Sequence, residues 1–299
     1  MEAFMEKKNV EIQAINRQTF SQRLKSYKRS PLSLLLLILV SLSALITVMT
    51  LLFLIAYILI KGVPYLTADL FAWEYNSENV SLMPALINTI IMTGLSLIIA
   101  GPLGIFAAVY LVEYAKKGNK LVSVVRVTAE TLTGIPSIVY GLFGMLFFVT
   151  TLRWGYSMLA GAFTLAIMVL PVIMRTTEEA LLAVPDTYRE ASFGLGAGKL
   201  RTIFVVILPS AVPGIFSGVI LSIGRIVGET AALMYTAGTV AELPDSVMSS
   251  TRTLSVHMYS LASEGLYVNQ AYATAVVLLV IVLAINWLSG KIARKIKKG

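Results

Sequence analysis

The feature that most constrains this chain is a run from Leu32 to Ile60 that carries no formal charge over 29 residues. A helix rises about 1.5 Å per residue, so the run exceeds the roughly 30 Å needed to cross a hydrocarbon core. A polar stretch of 31 residues precedes it, and the run is far longer than the apolar region of a signal peptide. The sequence therefore predicts a transmembrane helix at residues 32–61 behind a tail at residues 1–31.

Further apolar runs predict five more spans. They lie at Leu82–Val112, Leu132–Leu152, Tyr156–Met174, Ala211–Ala237 and Ala271–Leu288. The composition agrees, since 57% of the side chains are apolar and 13% are charged, against roughly 45–50% and 25% in soluble domains. The sequence predicts an all-α integral membrane protein with six transmembrane helices, of which the last five form a core at residues 82–290.

Basic residues flank these spans unequally. Nearly all of the 24 Lys and Arg residues fall in the N-terminal tail, in the loops near residues 116–126 and 175–201, and in the C-terminal tail at residues 291–299. The four exceptions are Lys61, Arg153, Arg252 and Arg225, the last of which lies inside a span. The positive-inside rule then places both termini in the cytoplasm. The net charge of +8 is thus read as a topology signal, and nucleic-acid binding is disfavoured.

Two opposite charges stand inside the fifth predicted span. The segment GRIVGETAAL places Arg225 and Glu229 four residues apart. A charged residue at the centre of a membrane helix costs about 2.5 to 3.5 kcal/mol on insertion scales. On a continuous helix the two side chains would share a face and neutralise each other. They form either a structural ion pair or part of a solute pathway, and the prolines and glycines within several spans favour the pathway.

The longest predicted cytoplasmic segment, about residues 176–209, contains short helical signals. Two pairs match helix capping boxes: Thr176 with Glu179, and Thr187 with Glu190. Pro185 separates the two pairs, and a glycine-rich turn at residues 194–198 precedes the return to the membrane. The segment is either a plain re-entry loop or a pair of short helices that fit a groove on a cytoplasmic partner.

The same segment carries a family motif. The order E-A-S, three residues, G, nine residues, V, one residue, L-P at residues 190–209 resembles the EAA loop of permease subunits in binding-protein-dependent ABC importers. Ser192 replaces the second alanine of the family pattern, and Val206 replaces an isoleucine. The segments GIPSIVYGLFG, LPVIMRTTEEAL and GRIVGETAAL are similar to those of phosphate-importer permeases of the PstA type.

The resemblance implies a type I importer fold, with one additional N-terminal helix before a five-helix core. It implies a bacterial or archaeal plasma membrane and four kinds of neighbour: a homologous second permease, two ATPase subunits inside, a phosphate-binding protein outside, and lipid. The family's ATPase contacts the EAA loop, which assigns ATPase coupling to Tyr188, Arg189, Glu190, Ala191 and Gly196.

A phosphate substrate would explain the charges within the spans. A guanidinium offers a fork of donors that matches two phosphate oxygens, so Arg225 is the predicted pathway ligand. Glu229 would hold Arg225 when no anion is present, or would pair with a charge on the second permease. Arg175 is either an exit-site ligand or an interfacial anchor. Phosphonate, molybdate or sulfate are the alternative substrates.

Nucleotide chemistry is predicted to belong to a partner subunit, so the chain is not expected to be an enzyme. The Gly-Lys pair at residues 198–199 has Phe193 where a P-loop needs its first glycine and Leu200 where it needs Ser or Thr. With no cysteine and one histidine, neither a metal site nor a cofactor is expected. That histidine, His257, falls in the segment 240–270, predicted to be an outer interfacial helix that touches the binding protein. A stand-alone ion-coupled carrier is disfavoured because few carboxylates lie within the spans.

Overall fold

The computed structural model describes residues 31–116 and 118–296. Every regular element within these two ranges is helical. Nearly all of the predicted tail at residues 1–31 lies outside the described residues, as do Lys117 and the last three residues. The prediction of an all-α fold is confirmed.

Ten α-helices of four or more residues occur in the described part. In chain order they are α1 (Pro31–Gly62), α2 (Met83–Val109), α3 (Lys120–Thr133), α4 (Ser137–Gly144), α5 (Met158–Leu182), α6 (Asp186–Gly194), α7 (Leu208–Val227), α8 (Ala231–Met234), α9 (Leu254–Glu264) and α10 (Val268–Ile296). Two 3-10 turns, Val63–Tyr65 and Ala68–Phe71, follow α1. Three π-helical turns extend the longer helices: Tyr110–Tyr114 after α2, Met145–Thr151 after α4, and Thr202–Ile207, which leads from Lys199–Arg201 into α7.

The chain divides into two compact units, one ending at Tyr57 and the other beginning at Ile58. The described residues of the first unit all lie on α1. Their side chains are almost entirely apolar and exposed. A helix that is apolar on all sides suits a hydrocarbon environment, because its backbone polar groups are satisfied within the helix.

The second unit packs around α5. The buried side chains Ala162, Leu165 and Met168 of α5 belong to the same hydrophobic cluster as Met92 of α2. Small residues allow the helices to approach closely. A Cβ atom at Gly218 of α7, for instance, would lie 1.9 Å from Oγ1 of Thr176 on α5. The α5–α7 contact therefore depends on the absence of a side chain there.

The helix α2 runs between the two ends of this unit. Near its start, Oγ1 of Thr89 accepts a hydrogen bond of 2.8 Å from the backbone N–H of Leu254 at the beginning of α9. In the π-turn at its other end, Glu113 pairs with Arg189 on α6. We call these two ends the α9 end and the α6 end.

Five of the described helices are long and apolar enough to cross a membrane. They are Pro31–Tyr65, Met83–Tyr114, Met158–Leu182, Lys199–Val227 and Val268–Ile292. A sixth span is reached only if Lys120–Thr133 and Ser137–Thr151, which meet at 103°, are counted together. The predicted third span at Leu132–Leu152 is therefore sharply bent near its start, within the glycine- and proline-containing segment GIPSIVYG. Pro136 ends α3 nearby, because proline lacks an N–H and disfavours helical backbone in the residue before it.

Several predicted boundaries also move. The predicted fourth span at Tyr156–Met174 continues as α5 to Leu182. Thr176 consequently lies inside a helix, where its hydroxyl donates to the carbonyl of Val172 at 2.9 Å, so the predicted capping box with Glu179 is wrong. A capping residue needs non-helical backbone, and the helix-forming residues after Met174 keep α5 intact.

The second predicted capping box is wrong as well. The helix α6 begins at Asp186 with Pro185 as its N-cap, which places Thr187 inside the first turn. At the other end of the core, α10 starts at Val268 and runs to Ile296, beyond the predicted sixth span at Ala271–Leu288 and into the predicted basic tail. The predicted division into tail, first helix and core stays a prediction.

Candidate translocation pathway and coupling loop

A break in the predicted fifth span sets the geometry around Arg225. The helix α7 ends at Val227, with Gly228 as its C-cap, and the short α8 begins at Ala231. The backbone N–H groups of Gly228 and Glu229 donate to carbonyls of the last turn of α7, which closes the helix. The predicted continuous span at residues 211–237 is therefore wrong.

Arg225 and Glu229 form no ion pair with each other among the described side chains. Oε1 of Glu229 instead accepts a hydrogen bond of 3.0 Å from the backbone N–H of Ala232 and so caps α8. Arg225 lies in the last turn of α7, where the helix dipole favours a positive charge by about 0.3 to 1 kcal/mol. Each charge is thus matched to a helix end, and the expected neutralisation on a shared face does not occur.

The bend between α3 and α4 lies beside this break. A Cβ atom at Gly141 of α4 would come within 2.7 Å of Cα of Ala232 on α8, so the two backbones are in contact. The hydroxyl of Tyr140 donates to the carbonyl of Leu132 at 2.8 Å and spans the bend. Tyr140 is also within electrostatic range of Arg225. Two interrupted helices therefore meet near the last turn of α7, which carries Arg225, and paired helix breaks of this kind are typical of solute sites in membrane transporters.

Arg175 belongs to a different group of charges, at the α6 end of α5. Its Nε lies 3.1 Å from Oε1 of Glu179, and its Nη1 lies 3.5 Å from Oε1 of Glu130 on α3. The neighbouring pair Arg126–Glu178 joins the same two helices. These side chains line a cavity of about 300 Å³. Because the Arg175 pairs are largely exposed, they contribute little to stability and can exchange partners.

The structure does not bring Arg175 and Arg225 into one site. Thr176, the residue after Arg175, packs against Gly218 of α7, and Gly218 lies seven positions before Arg225. Seven helical residues span about 10 Å, so the two arginines occupy different levels of the bundle. A solute that contacts both arginines would therefore reach them one after the other.

The loop after α5 folds into α6 and a tight turn. Gly196 has φ of +81°, a left-handed conformation that glycine adopts without a Cβ clash. The hydroxyl oxygens of Ser192 and Thr202 lie 2.8 Å apart and are buried, which joins α6 to the start of the π-turn before α7. Ser192, which replaces an alanine of the family motif, thus makes a specific contact.

Arg189 is turned toward the protein interior. Its Nη2 lies 2.7 Å from Oε1 of Glu113 and donates to the carbonyl of Leu181, while its Nη1 donates to the carbonyl of Val184 at 3.0 Å. The side chains of Arg189 and Glu113 are only 16% and 9% exposed. This geometry does not support the prediction that Arg189 itself contacts an ATPase, since its donors hold α6 against α2 and α5.

The exposed side of the loop is partly apolar. Tyr188, Glu190, Ala191 and Gly196 are all exposed, as predicted for a docking surface. Two apolar residues outside the predicted set, Phe193 and Leu195, are exposed by 48% and 89%. Exposed apolar side chains gathered in one place indicate an interaction surface.

Two residues that contribute to these contacts, Glu113 and Tyr140, were not predicted from the sequence. Glu113, the partner of Arg189, lies 76 positions away, and the one sequence feature that could have indicated it is an acidic residue close to a basic loop. Tyr140 carried no signal, because a tyrosine within an apolar run reads as packing.

A family model for the inner membrane component of binding-protein-dependent transport systems matches residues 100–298. This chain belongs to that family. The matched range contains both helix breaks and the loop with α6. Permeases of this kind work with ATPase subunits and a substrate-binding protein, so the chain is a transport component and ATP hydrolysis resides in a separate subunit.

Two relatives match this permease over most of their length. It is 34% identical to the probable ABC transporter permease protein YqgI of Bacillus subtilis, with 81% of this chain and 90% of the relative covered. It is 33% identical to the phosphate transport system permease protein PstA of Haemophilus influenzae, with 89% and 95% covered.

Solved structures of other importers share the fold of this permease. A bacterial alginate ABC transporter matches with a TM-score of 0.67 at 18% identity, covering 91% of this chain and 98% of the other. The MetNI methionine ABC transporter in an inward-facing conformation matches with a TM-score of 0.57 at 21% identity, covering 72% and 94%. The type I importer fold predicted from the EAA loop is thus confirmed.

Proposed function

We propose that this permease carries phosphate across the inner membrane as half of the translocation pathway of an ATP-driven importer. The observation that carries the proposal is the half-buried Arg225, which has no carboxylate partner among the described side chains and stands where two interrupted helices meet. The alignment with a phosphate permease over 89% of this chain supports the choice of substrate.

Arg225 is suited to hold a tetrahedral oxyanion briefly. Its guanidinium can donate two parallel hydrogen bonds to two oxygens of one phosphate. The hydroxyl of Tyr140 adds a further donor if it leaves the carbonyl of Leu132. The last carbonyls of α7 and the carboxylate of Glu229 carry negative charge and oppose the anion. The site therefore binds phosphate weakly enough for release.

The exposed face of α6 and its turn is proposed to dock on the ATPase. Tyr188 also lines an open groove of about 730 Å³ between α6, the end of α5 and the start of α7. Movement of the docked α6 would be passed on through the Arg189–Glu113 pair to α2. The proposed partners are a homologous second permease, two ATPase subunits and a phosphate-binding protein, with the α6 end in the cytoplasm and the α9 end outside.

The substrate assignment predicts selective stimulation by phosphate. The reconstituted complex with its binding protein should hydrolyse ATP and take up labelled phosphate, because the site presents a fork for a tetrahedral oxyanion. Phosphonate, molybdate and sulfate should each be at least about tenfold less effective at equal concentration, a difference of about 1.4 kcal/mol. Stronger stimulation by another oxyanion would change the substrate, and uptake that persists without the ATPase would indicate a stand-alone carrier.

The proposed orientation predicts which residues a membrane-impermeant reagent reaches. Lys116→Cys, in the exposed turn between α2 and α3, should be labelled only in inverted vesicles, and Glu264→Cys, at the end of α9, only in intact cells. The chain has no native cysteine, so the parent serves as an unlabelled control. Labelling of Lys116→Cys in intact cells would contradict the proposed orientation.

A further inference from the structure

The α9 end contains a buried polar cluster that lies outside the site proposed around Arg225. Arg252 and His257, which flank the start of α9, are 5% and 0% exposed. The guanidinium carbon of Arg252 lies 4.8 Å from the ring centre of Tyr75, and the His257 ring meets the same tyrosine edge-on at 6.2 Å. Asn88 of α2 donates to the carbonyl of Arg252 at 3.4 Å. His257 is fully buried, so any contact of the segment 240–270 with a binding protein, which stays a prediction, would have to involve other residues.

The polar atoms of this cluster are left unsatisfied. Nε and Nη2 of Arg252, both ring nitrogens of His257 and Oδ1 of Asn88 are buried without a hydrogen-bond partner of ordinary geometry. No carboxylate among the described side chains forms an ion pair with Arg252. Buried polar groups are nearly always paired, and a buried unpaired charge is the costliest exception. A group that compensates Arg252 is therefore missing from the chain alone.

The unpaired atoms indicate what that group is. Nε and Nη2 are the two nitrogens on one edge of the guanidinium, and together they receive two oxygens of one oxyanion. Water would supply an acceptor but no negative charge, so it would leave the cation uncompensated. A small oxyanion supplies both acceptors and charge.

An entrance lies next to the cluster. Tyr75, whose ring covers the guanidinium, also lines a cavity of about 320 Å³ together with Trp73, Glu74 and Glu242. A rotation of the Tyr75 side chain would open the guanidinium to this cavity. The two carboxylates oppose an anion, so a site there binds weakly and releases readily, as a site of passage must.

We propose that Arg252, with His257 beside it, forms an oxyanion site at the outer end of the permease, covered by Tyr75 in this conformation. The assignment of inorganic phosphate as the anion rests on the proposed function. Phosphate leaving the binding protein would occupy this site before it reaches Arg225.

The pKa of His257 depends on the charge at this site. Burial, and then the nearby charge of Arg252, lowers the pKa of His257 to about 3, although the backbone of Val80 acts weakly in the opposite direction. The imidazole is therefore neutral at pH 7 and keeps one N–H to donate. An anion on Arg252 would offset that positive charge and raise the pKa of His257 toward its usual range.

The experiment uses the fact that His257 is the one histidine of the chain. The full chain, labelled with ¹⁵N-histidine and placed in unlabelled lipid nanodiscs without a histidine tag, is titrated with inorganic phosphate at pH 7. We expect a saturable change in the His257 nitrogen shifts. Arg252→Gln should raise the half-saturating phosphate concentration at least about tenfold, since two charged hydrogen bonds are lost.

Matched variants separate the site from general effects. Arg153→Gln removes an exposed arginine and should leave the titration unchanged. Tyr75→Ala removes the cover and should lower the half-saturating concentration, which tests the site even if Arg252→Gln fails to fold. An unresponsive His257 in the parent chain, or an unchanged response in folded Arg252→Gln, would overturn the proposal. A change in the His257 nitrogen shifts on adding phosphate-free binding protein would also overturn it, because Arg252 would then pair with a carboxylate of that partner.

The proposed function can fail independently. If the assembled complex takes up phosphate while His257 does not respond, only the outer site is wrong. If His257 responds but no complex takes up phosphate, the site binds oxyanions and the transport assignment is wrong.

Discussion

Phosphate uptake should fall by at least about 100-fold when Arg225 is replaced by glutamine in an importer that still assembles. The loss corresponds to about 2.7 kcal/mol, which is comparable to the one or two charged hydrogen bonds that the fork would make to phosphate. Arg225→Lys keeps the charge but loses the planar fork, so we expect a loss of about tenfold. The measurement is initial uptake of labelled phosphate into proteoliposomes, with assembly checked by size-exclusion chromatography.

Glu229→Gln is the informative comparison, because the structure separates the two charges. The amide oxygen of glutamine can accept the same hydrogen bond from Ala232 that the carboxylate accepts. We therefore expect this variant to insert normally and to keep most of its uptake. If Arg225→Gln also stays within about twofold of the parent, an effect below roughly 0.5 kcal/mol, Arg225 only stabilises the end of α7 and the pathway lies elsewhere.

Replacing Arg189 by methionine should destabilise the permease by about 3 to 5 kcal/mol, because it leaves Glu113 buried without its partner. The same change removes the donors to the carbonyls of Leu181 and Val184. Thermal unfolding of the purified complex measures the loss of stability. The ratio of ATP hydrolysed to phosphate transported measures coupling, and it should rise because α6 is no longer tied to α2.

Two further variants distinguish a structural from a transmitting role. Asp186→Asn removes the charge from the contact of 3.1 Å with Arg189 Nη1, but the Asp186 side chain is 87% exposed, so stability should hardly change. The double variant Arg189→Met with Glu113→Leu buries no unpaired charge and should recover most of the stability. Coupling should remain impaired in that double variant. Full recovery of coupling would show that the pair stabilises the fold without passing on the movement of α6.

The membrane-spanning character and the class of the protein followed from local properties of the chain. A run such as Leu32–Ile60 is so apolar that only a membrane helix satisfies both its side chains and its backbone. The EAA spacing at residues 190–209 likewise lies within one segment, so it could be recognised without knowledge of contacts. Apolar periodicity and short motifs are one-dimensional signals, and these conclusions are confirmed by the family and fold comparisons.

The tertiary structure decided how the charges are used. In the sequence, Arg225 and Glu229 differ by four positions and read as one helical pair, but the helix ends at Val227 and gives each charge its own helix end. The sequence predicts Arg189 as a residue that contacts the ATPase, whereas in the structure it pairs with Glu113, 76 positions away. Helix breaks and buried partners depend on what packs against a segment from distant parts of the chain. Spacing along the sequence places the charges, whereas packing in three dimensions determines which atoms compensate them.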